Sequence, residues 1–76
     1  MEPGEYCVVI TLRYVWEEKH SYDATDIFVY EVECDTPRHK VSLGVLNEAD
    51  RRRRLVSAEI PEDAIYSLAF LSIEPN

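Results

Sequence analysis

The chain has 76 residues, of which 46% are hydrophobic and 30% charged, too apolar for a disordered segment and too short for a second core. Fifteen acidic residues against eight basic ones leave a net charge of −7, which opposes adsorption to nucleic acid or to anionic membranes as a whole-molecule effect. No apolar run nears the ~18 residues of a membrane span, and Met1-Glu2-Pro3-Gly4-Glu5 lacks the basic start of a secretion signal. The expectation is one soluble, cytoplasmic domain covering residues 1–76.

Charge is unevenly placed. Through Thr36 there are nine acids and two bases, and from Pro37 onward six of each. All the excess negative charge therefore lies in the first half. Four of the six later bases stand together as Arg51-Arg52-Arg53-Arg54. Val, Ile, Thr and the aromatics number 24 against 12 for Ala, Leu and Met, a balance that suits the pleated surface of a sheet.

From Tyr6 to Trp16, even-numbered Tyr6, Val8, Ile10, Leu12, Tyr14 and Trp16 alternate with a more mixed odd set, the period-2 signature of a strand. A second strand is expected from Asp26 to Cys34, its apolar face Phe28, Tyr30, Val32 and Cys34. The polar stretch 17–25 joins them as an antiparallel hairpin. Pairing Tyr14 with Phe28, Leu12 with Tyr30, Ile10 with Val32 and Val8 with Cys34 keeps one face apolar. A one-residue slip mixes the faces and is penalised.

Val41, Leu43 and Val45, then Val56, Ala58 and Ile60, alternate in the same way about Asn47-Glu48-Ala49-Asp50, which predicts a second hairpin. The rival is a short helix near 48–58, with Asn47 as its cap and Pro61 beyond its end. Residues Ile65 to Ile73 follow, with Tyr66, Leu68 and Phe70 on one face and Ile65, Ala69, Leu71 and Ile73 on the other. A strand apolar on both sides belongs at the centre of a sheet or in a closed barrel. The predicted fold is all-β, a compact five-stranded antiparallel sandwich or barrel; the alternative is α+β, a ββαβ sheet with the short helix.

Cys7 and Cys34 lie on opposite faces in that register, so both thiols are expected to be free. His20 and His39 do not complete a zinc set, because no Cys or His doublet has ligand spacing. Asp23 and Asp26 sit near Ser21 and Thr25 without the dense oxygen ligands and turn glycine of a calcium loop. Phosphate-binding glycine loops, nucleophile elbows and Cys-x-x-Cys pairs are absent. Neither metal nor cofactor is expected, and no catalysis.

Two charged features remain. The run Arg51, Arg52, Arg53 and Arg54 reads as a phosphate-contacting tip, as a nuclear-localisation patch or as a turn screened by Glu48 and Asp50; no aromatic residues interleave for base stacking. Glu31, Glu33 and Asp35 recur at every second residue and share one strand face at ~6.8 Å intervals, with Glu17, Glu18, Asp23 and Asp26 in the adjoining connection. This acidic row reads as a solvated outer face or as a mimic of phosphates. The leading expectation is a small interaction module that inhibits or adapts a larger complex by covering a basic, nucleic-acid-binding surface, as small phage-type accessory proteins do. Its partner is a protein with a basic surface. The alternatives are a nucleic-acid-contacting or assembly subunit using the arginine tip, and a structural homo-oligomer, at its simplest a homodimer.

Overall fold

The computed structural model describes residues 1–17 and 20–76. Its elements are β1 (Gly4–Trp16), β2 (His20–Val32), α1 (Arg38–Val56) and β3 (Ile65–Pro75). They form one antiparallel sheet ordered β2-β1-β3, with the helix on one side. This is the ββαβ element order of the α+β alternative. The five-stranded sandwich or barrel is not what forms.

The even face of β1 is the inner one, as its alternation predicts. Val8, Ile10, Leu12 and Tyr14 are almost wholly buried, together with Ala24, Phe28 and Val32 from β2 and Ile73 from β3. The register of the first hairpin differs from the expected one. Val8 stands opposite Phe28 rather than Cys34, and Tyr14 opposite Tyr22. The displacement is even, so every side chain keeps its face, which is why the hydrophobic pattern alone does not detect it. β2 begins at His20, directly opposite Trp16, and most of the polar 17–25 connection is strand. Arg13 consequently faces Asp23.

The predicted second hairpin over 41–60 is replaced by a helix of 19 residues, much longer than the alternative 48–58. Val41 and Val45 satisfy a strand pattern with Leu43, but with Ala49 they also form an i, i+4, i+8 stripe. That stripe is the buried one, and Leu43 is 60% exposed. The helix starts after Pro37, whose carbonyl accepts the amides of Lys40 and Val41. No side chain caps it, and its first turn contains no acid. It ends at Ser57, where Arg53 and Arg54 in the last turn complement the helix dipole.

β3 is found where predicted but at an edge, and β1 holds the centre. The register between β1 and β3 shifts at Thr11/Leu12. Leu12 faces Leu68 and Tyr14 faces Tyr66, whereas Thr11 faces Phe70 and Ile10 faces Leu71. Tyr66, Leu68, Leu71 and Ile73 thus share the helix side, and Ile65 and Phe70 the other. An irregularity that changes phase mid-strand explains why β3 reads as apolar on both faces. The helix lies closer to β2 and β1 than to β3, leaving Leu68 partly open.

Candidate interaction surface

The arginine run belongs to the architecture. Arg51 and Arg52 both bond Glu48, at 2.7 and 2.6 Å, and Arg52 also lies over the Phe28 ring. Arg53 grips Asp26 with both ends of its guanidinium, at 2.7 and 3.2 Å, and reaches the hydroxyls of Tyr22 and Ser57. Arg54 bonds Asp50 and donates to the carbonyls of Pro61, Glu62 and Ala64. Asp50 in turn accepts the Tyr14 hydroxyl at 2.8 Å.

The pairs with Glu48 lie within α1, whereas the contacts of Arg53 and of Asp50 with Tyr14 fasten α1 to the sheet and those of Arg54 hold the segment leading into β3. Hydrogen bonds from Arg51 and Arg52 depress the Glu48 carboxyl to about 2. Burial, reinforced by Asp50, pushes the Tyr14 phenol well above its usual range. The screening expected from Glu48 and Asp50 is present, and Asp26 adds to it. The favoured hairpin puts the run beside a turn and the alternative puts it in a short helix over 48–58; it lies in the last turns of the longer helix α1.

The helix-free face is organised differently. Across β2, β1 and β3 its central rows are Val29–Cys7–Glu74, Ile27–Val9–Ser72 and Thr25–Thr11–Phe70. Ile27 is 70% exposed and Phe70 53%, with Val29 also exposed. The hydroxyls of Thr11 and Thr25 bond each other at 2.8 Å. Beyond them Arg13 and Asp23 form a two-bonded pair at 2.9 and 3.1 Å, which lowers the Asp23 carboxyl through those hydrogen bonds. Val15 and Ile65 follow. At the opposite end Glu5 stands directly across from Glu31, with Glu74 one row away. None of these three has an ion-pair partner among the described residues.

The sequence-predicted acidic row is therefore divided. Glu31 lies on the open face. Glu33 and Asp35 lie beyond the end of β2, exposed, with Asp35 3.8 Å from the Met1 amino group. Asp23 is on the open face but neutralised by Arg13. Asp26 points to the helix side and is held by Arg53. Glu17 sits at the hairpin end near His20. Glu18 lies outside the described residues. Glu5 and Glu74 join the acidic end unanticipated: Glu5 shares the odd phase of Cys7 and Val9 and was legible, whereas Glu74 reaches this face only through the irregularity in β3.

An open depression of about 230 Å³ adjoins this end, lined by Tyr30, Glu31, Val32, Glu33, Thr36, Lys40 and Val41. Cys7 is half-buried on the open face beside Val29, Cys34 is exposed past β2, and both thiols are free. No group of three or more His, Cys, Asp or Glu among the described residues is arranged to hold a metal ion. No described helix is long and apolar enough to cross a membrane. Comparison with family models, with curated proteins and with solved structures finds no match.

Proposed function

We propose that the chain is a non-catalytic protein-interaction domain whose working surface is the helix-free face of the sheet. It acts as an inhibitor or adaptor, covering a basic, nucleic-acid-binding surface of a larger complex. The observation that carries this reading is the pairing of an exposed apolar centre, Ile27, Val29 and Phe70, with uncompensated Glu5, Glu31 and Glu74 at one end. An apolar patch rimmed by charge is the usual anatomy of a docking surface. The complementary partner presents an apolar patch flanked by Lys or Arg. Pairing of all four arginines of the run with carboxylates of the chain, Arg53 and Arg54 from largely buried positions, favours this reading over contact between those arginines and nucleic acid.

The test is affinity capture from the native host, followed by binding measurements with the purified partner. Ile27→Ser combined with Glu31→Lys is expected to abolish binding while the thermal transition is retained, and Arg51→Ser is expected to leave affinity unchanged. Affinity should fall with salt, since exposed charges are screened beyond ~8–10 Å at ordinary ionic strength. Binding indifferent to Ile27 and Glu31 and lost with Arg51, or a salt-resistant gel shift with nucleic acid alone, overturns it.

A further inference from the structure

Arg53 closes one part of the outer edge of β2 and leaves the rest open. Its guanidinium donates to the Thr25 carbonyl at 3.3 Å, so the odd-numbered residues of β2 turn their backbone groups away from β1. The far side of the sheet agrees. There the Asn76 amide donates to the Glu5 carbonyl at 3.0 Å, which directs Glu5 to β3 and its neighbour Tyr6 to the ladder with Tyr30. Past Thr25, the backbone groups of Ile27, Val29 and Glu31 face outward with no partner among the described residues. β2 runs through this stretch without proline or register shift.

At the end of that open edge lies the depression of about 230 Å³, with Tyr30, Val32 and Val41 as its apolar lining. It is smaller than the ~300–1,000 Å³ of sites that enclose drug-sized ligands, and it has room for a single side chain. Tyr30 and Val32 place their side chains on the helix side, and Glu31 between them on the open face. We propose that the outer edge of β2 receives an extended basic segment of a partner protein as a fourth strand, paired with Val29 and Glu31 and setting one apolar side chain in the depression.

Charge selects the occupant. The net charge of −7 repels a second copy and attracts a basic segment. Glu31 stands directly opposite Glu5, a like-charged pair that is unfavourable in the free chain, and a Lys or Arg beside Glu31 relieves it. Lys40 lines the depression and opposes a cation inside it, so the residue that enters is apolar and the basic ones precede and follow it. The recognised pattern is therefore basic, apolar, basic in extended form. This inference rests on the reading above for the basic character of the partner, but its site is the strand edge and not the open face.

Titration of the isotopically labelled chain with the capped peptide Ser-Thr-Lys-Leu-Lys-Thr-Ser, followed by amide shifts and exchange, tests it. Saturable binding with a dissociation constant of about 1 mM or below is expected, with the largest shifts and slowed exchange at Val29 and Glu31. The peptide with Glu in place of both lysines should bind at least about tenfold more weakly. Val29→Pro removes an outward amide without removing a bond to β1 and should abolish binding. N-methylation of the two lysine amides of the peptide should do the same to the unaltered chain, whereas N-methylation of the leucine amide should not. No partner protein enters the titration, so failure of the open-face reading leaves its result unchanged. Absence of saturable binding, equal affinity for the lysine and glutamate peptides, shifts centred on Phe70 and Ser72 of β3, or binding indifferent to Val29→Pro and to lysine N-methylation overturns the proposal.

Discussion

Tyr30 fills the space that a side chain on residue 44 would need: a Cβ built on Gly44 would stand 3.3 Å from the Tyr30 Cζ and closer still to its hydroxyl. Gly44 lies within α1, where glycine costs about 1 kcal/mol relative to alanine. The helix accepts that cost because the tyrosine ring closes one side of the interface between β2 and the first turns of α1.

Gly44→Ala is therefore expected to destabilise by about 1 kcal/mol, overpacking of about 1–3 kcal/mol outweighing the gain in helix propensity. In a Tyr30→Ala background the same substitution should stabilise by about 1 kcal/mol. Urea unfolding of the four chains of this double-mutant cycle measures the reversal. Equal effects in both backgrounds would mean that the ring does not exclude the methyl group.

Arg51 and Arg54 are the two ends of the run and differ in consequence. Arg54 spreads its guanidinium over Asp50 and three carbonyls, a fork that a lysine ammonium cannot reproduce. Arg54→Lys should cost about 1–3 kcal/mol. Arg51→Lys, at an exposed i, i+3 pair, should cost under about 0.5 kcal/mol. Shifts of the urea midpoint at unchanged slope report both, and equal shifts would contradict the fastening role of Arg54.

The depressed Glu48 carboxyl makes a prediction about acid. Its folded value of about 2 lies below its ordinary 4.5, so its contribution is fully present above the ordinary value. It is lost as pH falls through that window toward the folded value. Glu48→Gln should lower stability at neutral pH and flatten the decline between pH 4.5 and 2. Parallel stability curves for the two chains would show that the two arginines contribute nothing through this carboxylate.

Alternation in β1 and β2 made the inner face readable residue by residue, because the period of a strand is two and burial on one side enforces it. Three features were not readable. The hairpin register slips by an even step, from Cys34 to Phe28 opposite Val8, which the pattern of Val8, Ile10 and Leu12 cannot register. Val41 and Val45 suit both periods, and the choice between them rests on Ala49 and on contacts of Arg53 and Arg54 distant in sequence. The phase change in β3 moved Glu74 to the open face and made an edge strand look central. Of the acidic row, the part lying within a strand and facing away from the helix was legible, and Glu31 is its clearest member. Asp26 was not, because its counter-ion Arg53 follows 27 residues later.

β1 is bonded on both sides and β3 on one, so β3 can detach by opening a single ladder while the hairpin and much of its packing persist. Local opening of this kind has its own free energy, smaller than that of global unfolding. What it releases is Ile65–Ile73, an uncharged, proline-free segment rich in branched and aromatic residues, the composition that stacks into cross-β aggregates. Aggregation is therefore expected to follow how often this strand opens, with the net charge of −7 opposing contact between opened molecules. Arg54, by holding the 61–64 segment that leads into β3, restrains that opening.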